Sequence, residues 1–128
     1  KTEAFVAFDD LKERKSIIKM LLEDRKTMPV NAVHDRAFIA ASANIGNGNF
    51  IDAGTVIQSH AEISQHVQIF ANTTIGAKTE IGDYVQIGQN SSIGDAVSIE
   101  EGAYIGANAT IIGGVKIAKN AKIEICQV

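Results

Sequence analysis

A chain of 128 residues with 45% hydrophobic content is long enough for one domain with a buried core, and with 5% aromatic residues, no Trp and one Pro that core must be aliphatic. Fifteen acidic against twelve basic side chains leave a formal charge of −3, which gives no electrostatic reason to bind phosphate backbones and argues against nucleic acid as a partner. The single Cys126 cannot form an internal disulfide, no apolar run approaches the roughly 20 residues that span a bilayer, and no charged-then-apolar leader opens the chain, so a cytoplasmic protein without membrane contact is expected.

Residues 4–8, Ala-Phe-Val-Ala-Phe, read as a short buried strand ending at Asp9 and Asp10. Asp10 with Glu13 has the form of a capping box, and Leu11, Ile18, Leu21 and Leu22 recur at helical spacing to about Arg25. Lys12, Arg14, Lys15 and Lys19 then fall mostly on the solvated face. Pro29 ends this helix because it lacks an N–H and pushes Met28 out of helical space. Residues 1–30 thus form an N-terminal strand–helix segment, and residues 31–128 a second, repetitive domain.

From Ala37 the period becomes six. Fifteen isoleucines, from Ile39 through Ile123 in steps of six, occupy one register without interruption. A period of six fits short strands joined by two-residue corners, with one large side chain inward per strand. Three sides close a triangular coil, and fifteen hexads give about five coils, a prism on the order of 24 Å tall. Four residues after each Ile the side chain is small or β-branched, as in Thr55, Val67 and Ala103, with Asn49 as the departure. Three residues after each Ile stand Gly, Asn or His, apart from Ser42, Lys78, Tyr84 and Ala96. These are corner residues, where positive φ suits Gly freely and Asn or His better than most.

The three faces differ outwardly. Phe38, Val56, Thr74, Ser92 and Thr110, with Ala40, Gly76, Gly94 and Ile112 beside them, make one small or apolar face suited to packing against copies of the chain in a homotrimer. That row lacks the ranked threonines of an ice-binding surface. A second face carries Glu62, Glu80, Glu100 and Lys116 and reads as exposed. Phe50, Phe70 and Tyr104 on the third either join the trimer contact or line a ligand groove. An open coil end needs a cover; the 10–25 helix is expected over one, while the other stops at Ile125-Cys126-Gln127-Val128.

Over residues 37–125 the repeat resembles the hexapeptide-repeat acyltransferase superfamily, which implies an all-β, left-handed parallel β-helix. Periodicity alone leaves the hand open, and the general rule favours right-handed crossovers. The resemblance also implies a homotrimer with acyl-CoA, here acetyl-CoA as donor, bound between neighbouring prisms. Phe5-Val-Ala-Phe-Asp-Asp, Arg14 and Val30-Asn-Ala-Val-His34-Asp-Arg-Ala-Phe-Ile39 are similar to the sialic acid O-acetyltransferase and UDP-4-amino-sugar N-acetyltransferase group. In that group a nucleotide-sugar domain precedes the prism. Its Gly-rich first turn has no counterpart here, so the chain reads as truncated at both ends.

The group's base is a His two residues after a repeat Ile; the matching stretch, Ile75-Gly76-Ala77-Lys78-Thr79-Glu80-Ile81-Gly82-Asp83, holds Ala77 instead. A second His, near the acyl-CoA, corresponds to Gln86. The late coils imply acyl-CoA contacts at Gly106, Ile111, Gly113 and Gly114, and Asp95 stands where the group often has Gly.

Acyl transfer to a sugar amine or hydroxyl needs a base and a donor for the oxyanion. Of three histidines, His34 is expected to seat the first coil, and turn geometry alone accounts for His60 and His66. His60 is the candidate base, since it lies on the prism edge that holds Ala77, one coil lower. A zinc site shared by His60 and His66 is not expected, because successive hexads put them on different edges. Two readings follow: an acyl-CoA-dependent acyltransferase acting on a sugar or nucleotide sugar, and a non-catalytic trimeric β-helix that has lost its base.

Overall fold

A strand of two residues points one side chain inward and one outward, and the structure, a computed structural model that describes residues 30–124, contains sixteen such strands. Fifteen end on the ladder isoleucines. The other, Ala32–Val33, puts Val33 six residues before Ile39 and pairs in parallel with Phe50–Ile51. The ladder therefore begins one rung below the first repeat isoleucine, on a valine. The strand expected at 4–8, the capping box and helix that Pro29 ends, and the segment with Cys126 lie outside the described residues.

Among the described residues every strand but the last three pairs in parallel with the strand eighteen positions on, as Phe38 does with Val56 and Glu62 with Glu80. Three sheets result. Face A stacks Ala32–Val33, Phe50–Ile51, Gln68–Ile69, Gln86–Ile87, Tyr104–Ile105 and Lys122–Ile123; face B runs from Phe38–Ile39 to Thr110–Ile111, and face C from Asn44–Ile45 to Lys116–Ile117. The whole is a left-handed parallel β-helix of about five turns.

From Ile51 to Ile105 every ladder isoleucine is 3% exposed or less, with Ala61, Val67, Val85, Val97 and Ala103 filling the corners between them. Each such isoleucine contributes about 1.5–3 kcal/mol of burial. The polar occupants of the inward corner position serve carbonyls of the next coil. Thr79 Oγ1 donates to Gly94 O at 2.8 Å, Thr73 Oγ1 to Gly88 O at 3.0 Å and Ser91 Oγ to Gly106 O at 3.0 Å. Asn49, the departure in the sequence pattern, is fully buried: its Nδ2 donates to Ser64 O at 3.0 Å and its Oδ1 accepts from Val67 N at 2.8 Å.

Corner residues adopt positive φ from Gly48 to Asn120, including Lys78 (61°), Tyr84 (63°) and Ala96 (55°), three of the four exceptions in the pattern. Their amides explain it. Lys78 N, Tyr84 N and Ala96 N donate to Ser59 O, Gln65 O and Ala77 O of the coil below at 3.0, 3.0 and 2.8 Å, so the coil-to-coil ladder imposes the left-handed conformation whatever the side chain. For residues with a Cβ that conformation costs about 1–2 kcal/mol. Ala96→Gly should accordingly raise stability by about 0.5–1 kcal/mol after the flexibility of glycine is discounted; a urea midpoint that stays put or falls would contradict the account.

Candidate functional site

The edge joining faces B and C carries, from the bottom coil upward, Ser42, His60, Lys78, Ala96 and Gly114 at its corners, each preceded by Ala41, Ser59, Ala77, Asp95 and Gly113. His60, Ala77, Gly113 and Gly114 thus share one edge. Directly below Ala77 stands Ser59, so His60 stacks under Lys78, about 4.8 Å away along the prism. The His60 amide donates to Ser42 Oγ at 3.1 Å, its φ is 60° and its side chain is exposed. Turn geometry places the residue, and exposure leaves the imidazole open to a ligand.

Asp95 has a role that the sequence did not reveal. Its Oδ1 accepts the Ala77 amide at 2.9 Å, as Asp83 Oδ1 accepts that of Gln65 at 2.9 Å. In these hexads the amide two residues after the isoleucine has no backbone acceptor, and a carboxylate one coil up supplies one. The legible signal was the recurrence of Asp in that slot, at Asp83 and Asp95, rather than any resemblance. A donor for an oxyanion at Ala77 is therefore already engaged.

The remaining candidates are spread out. Gln86 sits half-buried on face A between Gln68 and Tyr104. Gly106 is buried at the edge joining faces A and B. Ile111 points inward at 8% exposure and can offer only its backbone. At Gly114 a Cβ would meet nothing within 4 Å, while at Gly113 it would lie 3.1 Å from Asp95 O, so the open space along this edge is at the top corner. A single chain does not assemble these residues into one pocket. His60 and His66 lie on different edges, and among the described residues no three His, Cys, Asp or Glu side chains converge on a metal position. His34, beside the first strand, accepts the Arg36 amide on Nδ1 at 3.0 Å and donates its own amide to Ile51 O, which ties the bottom coil.

Faces B and C differ in chemistry. Face B exposes Phe38 (60%) and, at its top, Ile112 (76%), with Thr74 and Val56 half-buried between. On face C Glu62, Glu80, Ser98, Glu100 and Glu101 line a shallow groove of about 290 Å³, and Lys116 pairs with Glu100 at 3.1 Å. No helix among the described residues is long and apolar enough to cross a membrane.

Residues 60–95 match the family model of the bacterial transferase hexapeptide (six repeats), and residues 96–124 match that of the hexapeptide repeat of succinyl-transferase. The chain belongs to the hexapeptide-repeat superfamily. The hexapeptide-repeat chain superposes over 94% of its length on WeeI from Acinetobacter baumannii AYE, with a TM-score of 0.74 and 18% identity. It does so over 94% on serine acetyltransferase isoform 3 from Entamoeba histolytica in complex with cysteine (TM-score 0.66, 21% identity). The acetyltransferase domain of PglB from Neisseria gonorrhoeae FA1090, solved in complex with acetyl coenzyme A, matches 91% of the chain (TM-score 0.58, 21% identity) and is itself covered over 67%. The chain spans 65% of WeeI and 42% of the serine acetyltransferase. At these identities the likeness establishes the fold. No curated protein matches the sequence.

Proposed function

We propose that this prism belongs to an acyltransferase that moves an acetyl group from acetyl-CoA to an amine or hydroxyl of a sugar or nucleotide sugar, in the cytoplasm, as a homotrimer packed through face B. The row on the edge joining faces B and C carries this reading: an exposed imidazole at His60, Lys78 above it, and open backbone at Gly114. Support also comes from the PglB domain, a structural neighbour solved with acetyl coenzyme A. In the reaction the acceptor's nitrogen or oxygen attacks the thioester carbonyl. His60 takes the proton as the new bond forms, and the carbon–sulfur bond breaks to leave the CoA thiol, which recovers a proton. Because Gln86 and Gly106 lie off this edge, a neighbouring prism supplies them in this arrangement.

A non-catalytic trimeric scaffold is the second reading, and Ala77 favours it: the position holds no base, and its amide is taken by Asp95. Release of free CoA from acetyl-CoA with amino-sugar nucleotides separates the two. Turnover should be present in a trimer by light scattering and fall about 10²–10⁴-fold in His60→Ala, the range for loss of a general base. Absence of turnover would leave the scaffold reading, and unchanged turnover in the variant would clear His60.

A further inference from the structure

The edge joining faces C and A turns, from the bottom coil upward, on Asn47-Gly48, Gln65-His66, Asp83-Tyr84, Glu101-Gly102 and Lys119-Asn120. The lowest pair is chemically unlike the rest. Only Asn47 carries a side-chain amide whose carbon can close a five-membered ring with the next backbone nitrogen, and that nitrogen belongs to a glycine, which has no side chain to obstruct the approach. No other asparagine of the chain precedes a glycine. In the higher pairs the corresponding nitrogen is held: His66 N donates to Asn47 O and Tyr84 N to Gln65 O, both at 3.0 Å, and Gly102 N and Asn120 N donate to Asp83 O and Glu101 O at 2.9 Å. Gly48 N has no acceptor among the described residues.

The turn that contains this pair is also tied differently. Turns such as 40–43 and 118–121 close through their own backbone, Ala43 N donating to Ala40 O at 3.0 Å and Ala121 N to Ala118 O at 3.1 Å. At 46–49 the Asn31 side chain intervenes, its Oδ1 accepting Asn49 N at 2.9 Å and its Nδ2 donating to Gly46 O at 2.8 Å. An exposed side chain is thus the clasp of this turn. Asn47 is itself exposed, and among the described residues its side chain has no hydrogen-bond partner.

We propose that Asn47 is a site of spontaneous succinimide formation, a modification that loosens the bottom coil from the one above. Gly48 N gives its proton to hydroxide and attacks Cγ of Asn47. The new C–N bond forms as the Cγ–Nδ2 bond breaks, and Nδ2 takes a proton from water and leaves as ammonia. Water then opens the ring at either carbonyl, leaving aspartate or isoaspartate at position 47. Isoaspartate routes the main chain through the former side chain and lengthens it by one carbon. The carbonyl that accepts His66 N at 3.0 Å then belongs to a free carboxylate outside the main chain, so the ladder loses register at the lowest rung of this edge. The edge lies opposite face B, and a trimer packed through that face leaves it open.

Incubation of the full chain in mildly alkaline buffer, followed by peptide mass spectrometry, tests this. Deamidation should appear first at Asn47, at least about tenfold faster than at Asn90, a factor that one net hydrogen bond supplies; after Asn90, Ser91 is buried and its hydroxyl bonds Gly106 O at 3.0 Å. The rate should rise with pH, because the deprotonated amide is the nucleophile. Asn47→Gln should abolish the reaction at this position, since the longer side chain cannot close a five-membered ring, and should leave the urea midpoint of fresh protein in place. The isoaspartyl fraction of aged protein should unfold at lower urea than the parent, whereas Asn47→Asp, which keeps the main chain, should not. Conversion at Asn47 no faster than at Asn90, or seen only after unfolding in urea, would show that the coil holds the pair and would overturn the proposal. An isoaspartyl fraction as stable as the parent would overturn the loss of register.

Discussion

Gly76→Ala should lower the free energy of unfolding by more than about 3 kcal/mol, beyond the usual cost of overpacking a core. A Cβ at Gly76 would overlap the Gly94 carbonyl and lie 2.6 Å from Asp95 N. Both neighbours are backbone, so no side chain can swing aside. Gly76 is not among the residues with positive φ, which makes the cost one of contact and not of dihedral strain. Relief requires the coil to move away from the one above, and the amide of Gly76 bonds that coil at Ile93 O, 2.8 Å away. The strain falls mid-prism, where two well-buried coils meet. Urea denaturation reads the change as a shift in midpoint at constant slope. A loss below about 1 kcal/mol would show that coil spacing is softer than this geometry implies. Gly114→Ala is the natural comparison: it has free space around it but a φ of 80°, so only the dihedral cost of about 1–2 kcal/mol applies.

Asn49→Ala is the second large effect, expected at about 4 kcal/mol. Truncation removes two hydrogen bonds at a site with no exposure, leaving the Ser64 carbonyl and the Val67 amide without their partner. Each buried group so stranded costs about 1–3 kcal/mol. Asn31 reaches the same corner from below, its Oδ1 accepting Asn49 N at 2.9 Å and its Nδ2 donating to Gly46 O at 2.8 Å; that bond uses the Asn49 backbone and survives the substitution. Asn44→Ala, outward on the neighbouring strand and exposed, should change stability by less than about 0.5 kcal/mol. Equal effects at the two positions would refute the inward role of Asn49.

The isoleucine ladder was legible because burial acts on side chains, and a strict period is what burial in a coil selects. Val33 was missed because a rung was recognised by one residue type rather than by its place in the count. At Lys78, Tyr84 and Ala96 preference misleads for a different reason: hydrogen bonds from the coil below fix φ, and a local sequence contains nothing about a carbonyl nineteen residues earlier. Asn49 appeared as a flaw in the pattern for the same reason, since its partners Ser64 and Val67 belong to the next coil. The candidate site was legible edge by edge. Counting in eighteens puts His60 with Gly114 and Ala77 with Gly113 in two adjacent columns of one edge, whereas Asp95's grip on the Ala77 amide depends on a side-chain rotamer that counting does not give. Gln86 and Gly106 fall on other surfaces, because one prism presents three separate edges and a pocket between prisms is a property of two chains.

Parallel pairing at a constant offset of eighteen makes each coil bond only the coil above and the coil below. Such a molecule is a stack of nearest-neighbour interfaces, and its stability grows by addition of units rather than by enlargement of a centre. Its length is therefore quantised. Inserting or deleting eighteen residues leaves every interface type intact while moving groups on one edge apart or together by about 4.8 Å. The reach between two chemical groups along such an edge can be graduated in these steps by gene length alone, without remodelling a single turn.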